Sequence, residues 1–146
     1  MDIINDVKLT PLRIIEAEAG SILHAMKQSD PSFAGFGEAY FSTVKTGFIK
    51  GWKKHNRMVL NIVVPHGKIL FVLYDGREQS ATFRKTMEVV LSKDSYQRLT
   101  VPPGIWMAFK GLDTGENLLL NIASIPHDPS EADNLPIGNE LINYSF

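Results

Sequence analysis

The amino-acid sequence predicts an all-β protein, folded as an antiparallel sandwich or barrel. Roughly eight or nine β-prone runs follow one another at intervals of about 8 to 12 residues, separated by turn-forming Gly, Pro, Asp and Ser. Little helical periodicity lies between these runs, so parallel βαβ units are disfavoured. At 146 residues the chain has the size of one ordinary domain, and we expect a single domain over residues 1–146.

Five predicted strands lie in the first half of the chain. Apolar, β-branched or aromatic runs mark them at residues 9–15, 38–43, 48–57, 58–64 and 68–74. The turn-forming triplet Pro65-His66-Gly67 separates two strongly apolar runs. This arrangement predicts a β-hairpin between 58–64 and 68–74.

The second half of the chain predicts four further strands and a different ending. The β-prone runs are residues 81–91, 96–101, 105–110 and 118–125, with a Pro-Pro-Gly break before the third of them. After the last strand, Ser130-Glu131-Ala132-Asp133 resembles a capping box, which predicts one helical turn. No apolar run follows it, so we expect a short C-terminal segment that is helical or irregular.

The composition excludes several kinds of protein. The chain contains no cysteine, which rules out disulfides, thiol catalysis and thiolate metal sites. A formal net charge of -1 provides no global attraction to nucleic acid or to acidic membranes. No run approaches the ~20 apolar residues that cross a bilayer, and the first residues lack the pattern of a secretory signal. We therefore expect a cytoplasmic protein with no nucleic-acid or membrane partner.

The segment from residue 50 to residue 57 is unusually rich in positive charge for a strand. Its sequence, Lys-Gly-Trp-Lys-Lys-His-Asn-Arg, places four fixed cations, one histidine and one tryptophan within eight positions. Three interpretations fit: a solvated edge strand protected by lysines, a nucleic-acid patch with a stacking tryptophan, or an anion-binding pocket. No second basic aromatic run supports nucleic acid, and Lys and Arg suit phosphate oxygens, which favours the pocket.

Strand alternation divides these residues between two faces. Without a bulge, Lys53, His55 and Arg57 share one face and Lys50 points to the other. Two or three cations are too costly to bury without anions or water, so a face that carries them would line a wet cavity. A bulge at Gly51 would bring Lys50 to the same side as Lys53.

Motifs for metal binding and for the commoner enzyme classes are absent from the sequence. None of the four histidines forms a close His-x-His or His-x-x-x-His pair, so no metal site is predicted. There is no Gly-x-Ser-x-Gly, no P-loop and no Gly-x-Gly-x-x-Gly motif. Their absence argues against the commoner hydrolase, kinase and Rossmann interpretations.

The order of motifs along the chain resembles that of a known family. The motifs are Gly35-Phe36-Gly37-Glu38, Ser42, Lys50-Gly51-Trp52-Lys53, Asp75-Gly76-Arg77 with Ser80, and Pro102-Pro103-Gly104-Ile105-Trp106-Met107-Ala108-Phe109. Together they resemble the deoxythymidine diphosphate 4-dehydrorhamnose 3,5-epimerases and their 3,4-ketoisomerase relatives, in the cupin superfamily. The resemblance covers about residues 33 to 125. It implies a cupin jelly-roll β-barrel or sandwich, usually a homodimer, that binds a nucleotide-diphosphate 4-keto-6-deoxy sugar without a metal or redox cofactor.

Several positions depart from the family pattern. Where the epimerases have Arg-Gly-x-His, with the histidine as base, this sequence has Lys-Gly-Trp-Lys, so Lys53 occupies the base position. His55 matches the second histidine of the Arg-Gly-x-His-x-His pattern seen in the ketoisomerases. Met107 replaces the histidine that usually follows the proline-glycine motif. Asn121 lies near the position of the tyrosine that acts as acid, and an amide donates a hydrogen bond but is no proton source.

The residues that remain can still form an enolate next to a ketone. Such a site needs a base with a pKa near the working pH and a cation or donor at the ketone oxygen. We expect His55 to be the base and Lys53 to hold the enolate oxygen as an ammonium; a desolvated, neutral Lys53 would reverse the two roles. Without a recognisable acid, the sequence leaves epimerisation and keto-isomerisation both open.

The remaining candidate residues are assigned to binding. The predicted substrate-binding residues are Glu38, Lys50, Trp52, Arg57, Trp106 and Met107. We expect the two cations to reach the diphosphate, the tryptophans to line the sugar or base subsites, and the glutamate to contact the nucleotide. The predicted function is a nucleotide-sugar epimerase or isomerase of surface polysaccharide synthesis. The alternatives are a non-catalytic cupin that binds a sugar or nucleotide, and a scaffold module whose basic strand meets an acidic partner.

Overall fold

The protein is built from short β-strands. The computed structural model describes residues 3–146, and this range contains twelve strands and one short 3₁₀ helix. The strands are β1 (Lys8–Pro11), β2 (Ile14–Ile15), β3 (Ile22–Leu23), β4 (Glu38–Lys45), β5 (Ile49–His55), β6 (Leu60–His66), β7 (Lys68–Asp75), β8 (Thr86–Ser92), β9 (Gln97–Val101), β10 (Ile105–Gly111), β11 (Glu116–Ala123) and β12 (Ala132–Leu135). The 3₁₀ helix, Pro129–Glu131, lies directly before β12.

Ten of these strands form two five-stranded sheets packed face to face. Sheet I has the order β1-β9-β6-β11-β4, and sheet II has the order β12-β5-β10-β7-β8. Neighbouring strands are antiparallel, and β2 and β3 form a separate small hairpin. From β4 to β7 the chain changes sheet at every connection, as in a jelly roll. The structure therefore confirms the predicted all-β jelly roll.

The two strands predicted as a hairpin lie in different sheets. β6 pairs with β9 and β11 in sheet I, whereas β7 pairs with β8 and β10 in sheet II. Both strands are buried along most of their length because each lies in the interior of its sheet. A continuous apolar run is typical of such strands, but it does not identify the partner strand. The hairpin prediction is wrong, and Gly67 carries the chain across the sandwich.

The region predicted as the strand 81–91 begins instead as a loop around a buried carboxylate. Asp75 accepts hydrogen bonds from the side chains of Arg77, Ser80 and Thr82 at 2.7 to 2.9 Å. Burial opposes the charge, but these bonds outweigh it and hold the pKa of Asp75 well below its ordinary range. The loop is thus tied to the end of β7, and β8 begins only at Thr86.

The C-terminal segment also differs from the prediction. The helical turn begins two residues earlier than the expected capping box, because Asp128 is the N-cap and its carboxylate accepts from the Ser130 amide. The next residues, Ala132–Leu135, form strand β12 on the edge of sheet II, where they pair with β5. Their polar sequence has no strand signature, so the pairing depends on the exposed edge of β5.

Two apolar clusters stabilise the sandwich. The larger lies between the sheets and includes Ile62, Phe71 and Leu99. The second lies on the outer face of sheet II, where Trp52 and neighbouring side chains pack against the end of the chain. The C-terminal residues Ile142, Tyr144 and Phe146 thus pack on sheet II of their own chain. The homodimer that the resemblance implies stays a prediction. Within the described residues, no helix has the length and apolarity needed to span a membrane.

Gly67 is the residue that permits the connection from sheet I to sheet II. Its φ is 81°, in the left-handed region that only glycine adopts without strain. A Cβ at this position would lie 2.5 Å from Oδ1 and 2.7 Å from Cα of Asn117. Asn117 is fully buried and has little freedom to move, because its side chain binds the Lys68 amide and the Val44 carbonyl.

Replacing Gly67 with alanine is expected to destabilise the protein by at least about 3 kcal/mol, since backbone strain adds to steric overlap. The matched control is Gly115→Ala, because Gly115 has a φ of 83° and open space around its Cα. Strain alone predicts a loss of about 1 to 2 kcal/mol there. Urea unfolding of both variants measures the difference, and equal losses would contradict the steric explanation.

Candidate active site

A cavity of about 220 Å³ lies between the two sheets and is open to solvent. Each sheet contributes six of the lining residues. Sheet I contributes Tyr40, Ser42, Leu60, Ile62, Leu119 and Asn121, and sheet II contributes Lys50, Gly51, Lys53, His55, Met107 and Phe109. Five of the nine predicted site residues therefore line one cavity: Lys50, Lys53, His55, Met107 and Asn121.

The cations of β5 reach the cavity because this strand is bulged. Lys53 pairs with Met107 and Lys50 pairs with Phe109, so a three-residue step on β5 faces a two-residue step on β10. The extra residue on β5 lies in the stretch that contains Gly51, and it turns Lys50 and Lys53 toward the same side. The register shift confirms the bulge predicted at Gly51.

Lys50 and Lys53 bring positive charge to the cavity. Nζ of Lys50 lies 2.9 Å from Oγ of Ser42 and 5.9 Å from the centroid of the Phe109 ring. In the part of the chain that the structure describes, neither lysine forms an ion pair. Both side chains retain contact with solvent, so the charge stays hydrated until an anionic ligand arrives.

His55 is held by a buried carboxylate from the C-terminal segment. Its Nδ1 contacts Oε1 of Glu131, a residue that is only 4% exposed. The other carboxylate oxygen of Glu131 accepts the backbone N–H groups of Asn56, Arg57 and Met58 at 3.0 to 3.2 Å. The turn after β5 therefore wraps around this carboxylate and fixes the His55 ring at the cavity wall.

The contacts of Glu131 determine its charge and the tautomer of His55. Burial raises the pKa of a carboxyl group, but the His55 and backbone hydrogen bonds outweigh burial here and lower the pKa of Glu131. An ionised carboxylate only accepts hydrogen bonds, so Nδ1 of His55 carries the hydrogen that faces it. In the neutral ring, Nε2 is then the atom with a free lone pair, on a residue that lines the cavity.

The sheet I wall presents a second polar pair. Tyr40 on β4 and Asn121 on β11 are register partners, and Nδ2 of Asn121 donates to the Tyr40 hydroxyl at 3.1 Å. Asn121 is 2% exposed, and its Oδ1 has no hydrogen-bond partner. Among the described residues, only this oxygen and Nε of Arg98 are buried side-chain polar atoms without a partner.

Four predicted binding residues lie outside the lining of the cavity. Trp52 and Trp106 point to the outer face of sheet II, where they are 2% and 6% exposed in the second apolar cluster. Arg57 is beyond the end of β5 and pairs with Asp128 at 3.2 Å. Glu38 lies half-buried at the start of β4, opposite Ala123.

These positions have simple physical causes. Large indole rings are stabilised by burial in the outer cluster, so strand β5 points its tryptophan away from its inward-facing cations. Arg57 lies after β5, in the turn that Glu131 organises, and the alternation assumed through residue 57 stops there. These four residues therefore do not line this cavity, and their contacts with substrate stay predictions.

Three polar residues of the site were given no site role from the sequence: Tyr40, Glu131, and Ser42, which was named only as part of the family motifs. Tyr40 and Ser42 alternate with outward-facing residues on β4, a signal that the sequence did contain. Glu131 has no such signal, because its partner His55 is 76 residues away in the chain. Within residues 3–146, no group of three or more His, Asp or Glu side chains is placed to hold a metal ion.

Comparison with known proteins assigns the family. A family model described as dTDP-4-dehydrorhamnose 3,5-epimerase matches residues 3–142. A solved dTDP sugar isomerase from Desulfovibrio desulfuricans G20 is 38% identical, with a TM-score of 0.94 over 97% of this chain and 91% of that chain. The probable low-salt glycan biosynthesis epimerase Agl13 of Haloferax volcanii is 24% identical over 137 residues, which are 89% of this chain and 85% of the relative.

A more distant solved structure shares the fold. The dTDP-4-dehydrorhamnose 3,5-epimerase of Bacillus anthracis str. Ames, with TDP and PPi bound, is 20% identical, with a TM-score of 0.84 over 95% of this chain and 83% of that chain. The family model spans nearly the whole chain, and the Desulfovibrio protein aligns across both sheets. The chain therefore belongs to the dTDP-4-dehydrorhamnose 3,5-epimerase family, and it is a nucleotide-sugar epimerase or isomerase.

Proposed function

We propose that the cavity binds a deoxythymidine diphosphate-linked 4-keto-6-deoxy sugar and epimerises it at a carbon next to the ketone. The observation that carries this proposal is the His55–Glu131 pair beside Lys53 in a cavity with unpaired positive charge. The names of the relatives support the ligand, since the Bacillus anthracis protein holds TDP. The Haloferax relative, whose name gives it as a probable glycan biosynthesis epimerase, supports a place in glycan synthesis.

His55 is the base in this proposal. Nδ1 donates to the Glu131 carboxylate, so Nε2 accepts the proton from the carbon next to the ketone. The imidazolium that forms is stabilised by the same carboxylate, as in other histidine–carboxylate pairs. Among the described residues, Lys53 has no ion-pair partner to orient it, and its side chain is exposed to solvent, which supports the assignment of the base to His55.

Lys53 stabilises the enolate. When the carbon loses its proton, negative charge develops on the former ketone oxygen, and a nearby ammonium lowers the energy of that state. Lys53 and His55 are two positions apart on β5 and both line the cavity, so a ring carbon and its neighbouring carbonyl oxygen can face them together. Lys50, at the other side of the bulge, is assigned to the diphosphate.

Solvent exchange tests the reaction and both residue roles. In D₂O the wild-type protein should incorporate deuterium next to the ketone of the substrate. His55→Gln should reduce exchange at least about 10²-fold because it removes the base. Lys53→Met should reduce it about 10²- to 10³-fold because it removes the enolate cation. The rates are measured by NMR.

The matched control for this experiment is Lys54→Met. Lys54 points away from the cavity, over the Trp106 ring and toward Asp133, so its loss should leave exchange unchanged. Saturable binding without any exchange in the wild-type protein would instead indicate a non-catalytic cupin that binds a nucleotide sugar. Full-rate exchange by the Lys53 variant would refute the role of that residue alone.

Glu131→Gln should lower kcat by at least about 10²-fold while leaving the shape of the side chain unchanged. The amide can present an N–H to Nδ1 of His55, which moves the ring hydrogen to Nε2 and removes the free lone pair from the cavity. Glu18→Gln, at an exposed loop position, is the control. The rates are compared below the unfolding temperature of each variant, and an unchanged kcat in folded Glu131→Gln would exclude the tautomer argument.

The affinity for nucleotide distinguishes the roles of Lys50 and Arg57, the two cations that the sequence predicted to reach the diphosphate. Lys50→Met should weaken binding of deoxythymidine diphosphate about 10- to 100-fold, because a charge-assisted hydrogen bond is lost. Arg57→Met should change affinity little, since Arg57 is paired with Asp128 outside the cavity. Isothermal titration calorimetry measures both. Equal losses in the two variants would show that the phosphates extend toward the turn after β5.

A further inference from the structure

The cavity wall formed by sheet I, opposite the sheet that carries His55, contains a phenol, the side chain of Tyr40. Asn121 on β11 lies near the position where the resemblance places the acid tyrosine, and its register partner on the neighbouring strand β4 is Tyr40. Tyr40 and Ser42 both line the cavity, while Phe41 between them is 66% exposed on the opposite face. The hydroxyl of Tyr40 is hydrogen-bonded to Asn121, so it lies next to the position expected for the acid.

We propose that Tyr40 is the acid of this site and returns a proton to the enolate carbon from the side opposite His55. This inference rests on the proposed function and deepens it. Asn121 is then a positioning residue, because it touches the phenol and does not itself transfer a proton. The two residues together take the role that a single tyrosine has in the family pattern.

The hydrogen bond between the two residues has the polarity that an acid requires. Nδ2 of Asn121 donates to the phenol oxygen at 3.1 Å, so the hydroxyl hydrogen of Tyr40 is not used in that contact. It remains available to the ligand. After the transfer, the same N–H stabilises the phenolate, because a charged acceptor forms the stronger hydrogen bond.

The placement of the two groups on different sheets predicts the stereochemistry. His55 is on β5 of sheet II and Tyr40 is on β4 of sheet I, and the cavity lies between these sheets. A planar enolate held between them exposes one face to Nε2 of His55 and the other to the phenol. Removal of the proton on one face and its return on the other inverts the carbon.

The step balances without an oxidant or a reductant. The electron pair of the C–H bond becomes the C=C bond of the enolate, and the carbonyl oxygen takes the negative charge. The C=C pair then forms a new C–H bond with the phenol hydrogen while the C=O bond is restored. His55 releases its extra proton to solvent, and the phenolate takes one from water, to which Tyr40 has access at 43% exposure.

The test follows hydrogen exchange and configuration separately. A deoxythymidine diphosphate-linked 4-keto-6-deoxyhexose is incubated in D₂O with the wild-type protein and with Tyr40→Phe, and NMR measures both deuterium content and the epimer formed. Phenylalanine keeps the ring but has no proton to give. His55 still removes a proton and returns a deuteron on the same face, so exchange with retained configuration should persist. Formation of the inverted sugar should fall at least about 10²-fold.

Tyr74→Phe is the matched control, because Tyr74 lies in the outer cluster of sheet II and is 7% exposed. It should leave both readouts unchanged. Inversion by Tyr40→Phe at the wild-type rate overturns the assignment of Tyr40 and leaves the proposed function intact. Loss of both exchange and inversion in a folded Tyr40→Phe that binds nucleotide also overturns it, since the phenol would then act in enolate formation. A wild-type protein that exchanges nothing overturns the proposed function and this assignment together.

Discussion

The buried carboxylate of Glu131 is the interaction on which the site depends. An ionised group with so little solvent contact is tolerated only when hydrogen-bond donors surround it. Three backbone N–H groups after β5 and the His55 ring provide those donors. The tautomer and orientation of His55 therefore depend on the docked C-terminal segment. Docking is stabilised in turn by β12 pairing and by the aromatic packing of Trp52 with Tyr144 and Phe146.

Strand β5 combines two environments that a regular strand would keep apart. The bulge at Gly51 directs Lys50 and Lys53 into the cavity while Trp52 stays in the outer apolar cluster. The strand thereby joins the rigid packing of the outer face to a wet, positively charged inner face. Because the inner lysines lack carboxylate partners among the described residues, an anionic ligand binds there without first breaking an ion pair.

The sandwich also explains why this fold suits chemistry at a carbon next to a ketone. An enolate is planar, and a cavity between two sheets offers groups to both of its faces. Sheet II presents His55 and the lysines, and sheet I presents Tyr40 and Asn121. The interiors of both sheets are tightly packed away from the cavity, which holds the two walls at a fixed separation.

The sequence by itself determined the all-β class, the approximate positions of most strands, the absence of thiol chemistry, and the placement of Lys53 and His55 on the same face of one strand. These features depend on local composition and on alternation over a few residues. The tertiary structure alone decided that β6 and β7 lie in different sheets and that Asn121 meets Tyr40 across 81 positions of the chain. It also decided that the carboxylate of Glu131, in the C-terminal segment, contacts His55 at the cavity. Periodicity shows which side of a strand is buried, but strand partners and long-range hydrogen bonds are selected only when the whole chain packs.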